Sequence, residues 1–172
     1  MASSDPSLAD VDAWFDKKVL PQRTASAGFS LNRIYKSPAG LFKGNEADAN
    51  GLCGDAASYV LEAYGKAYPK TYTTSDGYLM GVVLWEGLVL NHIANVMLPK
   101  DSAFKQGYEK KAGTPVALTS SGPKAKLLSY ASFIKLRVYD LYYKTRTTLG
   151  PWWDDRDEGG RITVGLESDF TG

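Results

Sequence analysis

Cysteine and histidine, two side chains often paired in nucleophilic catalysis, each occur once in this chain of 172 residues, as Cys53 and His92. A thiol becomes an effective nucleophile when an imidazole within hydrogen-bond reach takes up its proton. Glycines flank the cysteine at Gly51 and Gly54, and a backbone without side chains lets a ligand approach closely. These residues predict a thiolate–imidazole site.

The segment after Cys53 favours a helix, and the cysteine lies at or just before the N-terminus of that helix. At a helix N-terminus, unpaired backbone N–H groups and the helix dipole favour the thiolate. The N–H groups of Cys53 and Gly54, with the side-chain amide of Asn50, are candidates for binding the oxyanion of an acyl-transfer intermediate. We expect the helix to stop at Gly65, and its apolar face to lie on a sheet through Ala56, Ala57, Val60, Leu61 and Tyr64.

The segment around His92 favours a buried strand bounded by Pro99. A catalytic imidazole is usually oriented by a third polar group. Asp140, which follows an apolar and aromatic strand segment, is the first choice, because a residue on a neighbouring strand is held rigidly. Asp101 is the competitor and would require a tight turn back to the imidazole. Asn95 should project to the face opposite His92, because side chains alternate along a strand.

The order Cys53, His92, Asp140, with the thiol opening a helix and the other two on strands, resembles the papain-like superfamily in its broad sense. That superfamily includes bacterial glutamine deamidases, amidases and effector proteases. The short spacing from Cys53 to His92 is also similar to that of transglutaminase-like enzymes, and the resemblance covers roughly residues 50 to 144. The chain departs from papain itself, because it lacks the Cys-Gly-Ser-Cys-Trp string and Gln22 is the only glutamine before the cysteine.

The resemblance implies that Cys53 is the nucleophile, that His92 is first base and then acid, and that Asp140 orients the imidazole. It implies a papain-like core and chemistry that needs no cofactor. Trp152 and Trp153 come before an acidic run, and either wall a substrate cleft or cap the sheet. We prefer the second interpretation for the pair and keep Trp152 as a candidate substrate contact.

Length and composition predict one domain over residues 1–172, with a helical and loop region over 1–49 and a catalytic core over 50–172. We expect an α+β fold in which N-terminal helices pack on a C-terminal antiparallel sheet. The first helix starts near Leu8 and ends near Pro21, and residues 22–50 form a loop with at most one short helix. Residues 78–90 are open between a helix and two strands, and residues 100–113 are predicted as a loop. Further strands are expected at 115–118, 133–144 and 161–166.

Composition also excludes several classes of function. Twenty basic and nineteen acidic residues leave a formal net charge of +1, so no overall field recruits nucleic acid. One cysteine excludes an internal disulfide and, with one histidine, a structural zinc site. No segment approaches the roughly 20 apolar residues of a membrane span, and the first residues lack a signal peptide. We expect a soluble protein, either cytoplasmic or exported without a cleaved signal.

Two functional hypotheses follow from the sequence. The first is a cysteine hydrolase acting on an amide, as a toxin or effector that deamidates a protein glutamine or cleaves a peptide in a host or target-cell protein. The second is a non-enzymatic binding or immunity-type module in which Cys53 and His92 are structural residues, since a lone cysteine is most often a small buried hydrophobe.

Overall fold

The computed structural model of the protein describes residues 5–21, 52–87, 91–102, 104–119, 127–155 and 160–170. Asn50 and the predicted loop over residues 22–50 lie outside these ranges, as do the side chains of Leu52, Cys53 and Asp55.

Seven strands form a single sheet whose neighbouring strands are all antiparallel. The predicted α+β class with an antiparallel sheet is confirmed. The strands are β1 (Tyr78–Glu86), β2 (Asn91–Pro99), β3 (Gln106–Lys111), β4 (Thr114–Thr119), β5 (Arg137–Asp140), β6 (Thr145–Thr148) and β7 (Arg161–Gly165). They lie in the order β4-β3-β7-β1-β2-β5-β6, so the last strand of the chain is inserted between β3 and β1.

Within the described ranges, four α-helices accompany the sheet. They are α1 (Leu8–Trp14), α2 (Leu52–Ala67), α3 (Tyr130–Phe133) and α4 (Leu149–Asp154). A π-helical turn over Phe15–Val19 continues α1, and short 3₁₀ turns lie at Lys100–Ser102 and Glu167–Phe170. Ser7 and Asp10 begin α1 with a capping box, in which each side chain accepts a hydrogen bond from the other's backbone N–H.

The two faces of the sheet carry different layers. The face we call the helix face packs against α1, the π-helical turn and α2. Its buried strand residues are Val82, Ile93, Met97 and Tyr139. The face we call the tryptophan face packs against α3 and α4. Its main strand residues are Val83, Ala94, Val96, Val138 and Ile162. The helices cover them with Phe133, Leu149, Trp152 and Trp153. Odd and even residues of β2 therefore enter different cores.

Several predicted elements differ from those observed. Helix α2 continues through Gly65 to Ala67, and the predicted strand at 133–144 is only the short β5. The predicted loop at 100–113 contains β3, and β6 and α4 were not predicted. Residues 78–86 form one strand. Among the described residues, no helix has the length and apolar character needed to cross a membrane.

Candidate active site

His92 and Asp140 form a buried hydrogen-bonded pair. The His92 ring nitrogen Nε2 lies 2.8 Å from Asp140 Oδ2, and the two residues are 6% and 1% exposed. His92 is the second residue of β2 and Asp140 is the last of β5, so antiparallel pairing brings them to the same end of the sheet. The contact expected between this histidine and this carboxylate is present.

Asp140 accepts hydrogen bonds from three groups. Trp152 Nε1–H donates to Oδ2 at 2.8 Å, and the backbone N–H of Tyr143 donates to Oδ1 at 3.0 Å. Burial by itself raises the pKa of the Asp140 carboxyl, but the hydrogen bond and charge of His92, with the donors from Trp152 and Tyr143, outweigh it and lower the pKa. Asp140 is therefore an ionised acceptor at neutral pH.

The ionised carboxylate fixes the tautomer of the imidazole. Because Asp140 only accepts hydrogen bonds in this state, His92 Nε2 must carry a proton and donate it. In the neutral ring the basic lone pair is then on Nδ1. A carboxylate that holds one ring nitrogen and leaves proton exchange to the other is the arrangement used to orient a general base.

Trp152 was predicted as a substrate contact, but it is buried against the imidazole of His92. Its side chain is 2% exposed, and its ring stacks on the imidazole with centroids 5.6 Å apart and an angle of 28°. Its Nε1–H donates to the same carboxylate oxygen as His92. Trp152 therefore supports the His92–Asp140 pair from the tryptophan face, which the sequence analysis did not predict.

Two partly exposed tyrosines border the imidazole on the solvent side. The Tyr143 ring centroid lies 4.8 Å and that of Tyr142 5.7 Å from the His92 ring. Both belong to the turn that follows Asp140, and they are 54% and 39% exposed. The pair His92–Asp140 therefore lies just beneath an aromatic surface at the sheet end.

Helix α2 packs against β2 on the helix face. Ala57 in its second turn packs with Ile93, near the start of β2, and Val60 in the next turn belongs to the cluster that contains Met97. The Asn95 side-chain amide fixes this register by donating to the backbone carbonyl of Ala57 at 3.2 Å.

The first turn of α2 contains the two residues predicted as nucleophile and oxyanion donor. Cys53 is the second residue of the helix, and Gly54 follows it and is buried. The backbone N–H groups of Cys53 and Gly54 belong to the first four of the helix, which have no intrahelical acceptor. The predicted position of the cysteine in the helix start is thus observed for its backbone.

The layers of the sheet separate α2 from the imidazole. His92 projects to the tryptophan face with Ala94, whereas α2 packs on the helix face against Ile93.

The two other candidate partners of the imidazole are elsewhere. Asp101 is exposed in the 3₁₀ turn after Pro99, at the other end of β2 and roughly 25 Å along the strand from His92 at about 3.3 Å per residue. Asn95 faces α2 from the helix face, as strand alternation predicts. Neither orients His92.

Within the ranges that the structure describes, Asp, Glu, His and Cys side chains form no group of three that could hold a metal ion. No known protein family, curated protein or solved structure shows a significant match to the chain.

Proposed function

We propose that this protein is a cysteine-dependent amide hydrolase with Cys53 as nucleophile, His92 as base and then acid, and Asp140 as the orienting carboxylate. The observation that carries the proposal is the buried hydrogen bond of 2.8 Å from His92 Nε2 to Asp140 Oδ2. Cys53 lies in the first turn of α2. A proton-exchanging imidazole and a thiol on a helix N-terminus are the two parts that a thiolate nucleophile requires.

The reaction follows from these positions. His92 Nδ1 takes the thiol proton, and the sulfur of Cys53 attacks the carbonyl carbon of an amide. The N–H groups of Cys53 and Gly54 stabilise the oxyanion. The imidazolium then protonates the leaving nitrogen, which departs as ammonia or an amine and leaves a thioester. Water gives a proton to Nδ1 and attacks the thioester, which releases the carboxylic acid and restores the thiol.

The substrate that we propose is an amide of a protein, either a glutamine side chain or a peptide bond. The His92–Asp140 pair lies at the sheet end next to the partly exposed rings of Tyr142 and Tyr143, which offer a protein substrate an aromatic surface beside the imidazole. Deamidation of a target protein by a toxin or effector is the version of this activity that needs the smallest substrate-binding surface.

One observation favours a second function, that of a non-enzymatic binding or immunity-type module. His92 projects away from the face on which α2 packs, and its ring is enclosed by Trp152, Tyr143 and Asp140. Buried polar groups that satisfy one another are common in structural clusters. In this case the histidine would stabilise the fold and the thiol would have no base.

An acyl-transfer assay that needs no knowledge of the substrate separates the two. Incubation with p-nitrophenyl acetate should give the wild-type protein a burst of p-nitrophenol equivalent to one acyl group per chain, followed by turnover. Because Cys53 is the only cysteine, the acyl group can be located by mass spectrometry without ambiguity. We expect Cys53→Ser to lose the burst and His92→Gln to slow both phases.

A wild-type protein without a burst, or a burst of the same size in Cys53→Ser, would rule out the hydrolase and leave the binding module. Surface lysines provide a background rate, and Lys110→Gln serves as a control that should not alter the burst.

A further inference from the structure

The strand that carries Asp140 is held weakly by the strand that carries His92. In the described part of the sheet, β5 pairs with β2 through Asn95↔Tyr139 and Val96↔Val138, whereas β1 pairs with β2 along its whole length. Asp140 lies beyond the last of these β2–β5 pairs. Its distance from His92 therefore depends on how β5 is held by other elements.

A cluster of charged side chains on the helix face holds β5 against α1. Asp12 of α1 accepts hydrogen bonds from two residues of β5, from Tyr139 OH to Oδ1 at 2.7 Å and from Arg137 Nη1 to Oδ2. Arg146 of β6 lies 3.3 Å from the same Oδ2 and makes a two-point contact of 3.0 and 2.9 Å with Asp16. We call Asp12 and the three residues that it contacts, Arg137, Tyr139 and Arg146, the Asp12 cluster.

The Asp12 cluster and the His92 contact lie on opposite sides of the same short strand. Arg137 and Tyr139 project to the helix face, and Val138 and Asp140 project to the tryptophan face, because side chains alternate. Asp12 therefore holds Tyr139 and Arg137, which lie one and three residues before Asp140. A link at Tyr139 acts on the backbone immediately before Asp140.

The hydroxyl of Tyr139 depends on Asp12 as its hydrogen-bond acceptor. The Tyr139 side chain is fully buried, so its hydroxyl needs an acceptor within the protein, and Asp12 supplies it. Burial, and then the hydrogen bond to Asp12, raise the pKa of Tyr139, so the phenol stays protonated and donates at neutral pH. Charge-assisted hydrogen bonds of this type are about twice as strong as neutral ones.

From this arrangement we infer that Asp12 is a positioning residue, which acts through Arg137 and Tyr139 to hold Asp140 in hydrogen-bond contact with His92. The inference rests on the proposed function for its catalytic meaning. Its physical content is a coupling between the docking of the N-terminal helix on one face and the geometry of the His92–Asp140 pair on the other. A displacement well below 1 Å is enough to impair a catalytic arrangement.

The single histidine makes this coupling measurable without an activity assay. A proton on His92 Nε2 that is buried and bonded to a carboxylate should give one downfield resonance that exchanges slowly with water. We would record this resonance in ¹⁵N-labelled wild type, Asp12→Asn and Tyr139→Phe. Both substitutions keep the size of the side chain while removing part of the Asp12 cluster, and Tyr139→Phe retains the ring that packs on Phe15.

The matched control is Asp16→Asn. Asp16 contacts Arg146 of β6 in an exposed pair, but no hydrogen bond or ion pair joins it to β5 among the described residues, so its loss should leave Asp140 in place. We expect the Nε2 proton to exchange about tenfold faster or more, and to move upfield, in Asp12→Asn and Tyr139→Phe, with no such change in Asp16→Asn. Circular dichroism checks that each variant is folded.

An unchanged resonance in a folded Asp12→Asn or Tyr139→Phe would overturn the inference and leave the Asp12 cluster with a role in stability alone. The same result in Tyr139→Phe decides the question if Asp12→Asn does not fold. Failure of the proposed function is visible separately, because a protein without an acyl burst still reports whether Asp12 holds the His92–Asp140 contact.

Discussion

Asp140 is the residue on which the site depends, because three donors from separate parts of the chain converge on its carboxylate. His92 Nε2, Trp152 Nε1 and the Tyr143 backbone N–H all point at its two oxygens. Only an ionised carboxylate can accept all three without leaving a buried donor unpaired. The same feature that orients the imidazole therefore also makes this position intolerant of substitution.

For Asp140→Asn we expect a fall of about three orders of magnitude in the rate of acylation of Cys53, because the amide cannot both accept from the imidazole and stabilise its positive charge. The amide also places an NH₂ group against one of the three donors, which should cost about 1–3 kcal/mol of stability. Stopped-flow measurement of the acyl burst and urea unfolding give the two quantities.

Asp101→Asn is the control for this substitution. Asp101 is exposed at the far end of β2 and should tolerate the change with neither effect. Equal rates in the two variants would exclude Asp140 as the orienting carboxylate.

Trp152→Phe should make the protein less stable in a manner that depends on pH. The pKa of Asp140 is lower in the folded protein than its ordinary value, so its ionised form contributes stability above that value and loses the contribution as pH falls through the folded pKa. Loss of the Trp152 donor raises the folded pKa toward the ordinary value near 4 and reduces the contribution. The difference in unfolding free energy between wild type and variant should therefore be larger at pH 7 than at pH 3.

Trp153→Phe provides a matched control for Trp152→Phe. Trp153 is buried beside Trp152, but its Nε1 makes no hydrogen bond in the part of the chain that the structure describes. Both variants lose the same ring volume, so a pH-dependent difference that appears equally in both would show that the Trp152–Asp140 bond has no role in it.

At the scale of elements, the strands and helices with periodic patterns could be predicted and those with special residues could not. The helix after Cys53, the strand of His92 and the last strand follow from apolar spacing. Strand β3 was predicted as a loop because Gly107 and the following lysines resemble a turn. The glycine serves close approach instead, since a Cβ there would lie 2.0 Å from the Ile162 carbonyl oxygen.

Among the residues of the site, one role could be predicted from the sequence and another could not. Alternation along a strand and the position of Asp140 after an apolar segment were enough to choose it over Asp101 as the partner of His92. Trp152 was predicted as a substrate contact and not as a donor to Asp140, because it lies on the short helix α4, whose one signal is Pro151 in its first turn. Local sequence does not show that a buried tryptophan will meet a carboxylate from another strand.

Two glycine substitutions test this account of the elements. Gly107→Ala should lower the free energy of unfolding by about 3 kcal/mol, because the methyl group must push β3 away from β7. Gly65→Ala should raise it by about 0.5–1 kcal/mol, because the added methyl group meets nothing within 4 Å and alanine favours the interior of α2. Urea unfolding curves with equal m-values allow the comparison. A tolerant Gly107 would mean that β3 and β7 are not in this register.

At the scale of the whole molecule, the imidazole, the carboxylate and the exposed tyrosines of the site lie at one end of the sheet. The start of β2, the end of β5 and the tyrosine turn meet there, and the two layers on opposite faces hold them in place. The Asp12 cluster links the N-terminal helix to this end through β5. The fold therefore brings the His92–Asp140 pair and the two exposed tyrosines to one end of the sheet.

The most direct test of this account is the pH dependence of alkylation of Cys53 by iodoacetamide. The chain has one cysteine and one histidine, so the rate reports one thiol and His92→Ala removes the one imidazole. An ordinary thiol becomes reactive only near pH 8.5, whereas a thiol paired with an imidazole reacts below about pH 7. We predict rapid alkylation below pH 7 in the wild type and its loss in His92→Ala. Alkylation with the same pH dependence in both proteins, or a thiol that resists alkylation until the protein unfolds, would contradict the central claim that His92 activates Cys53.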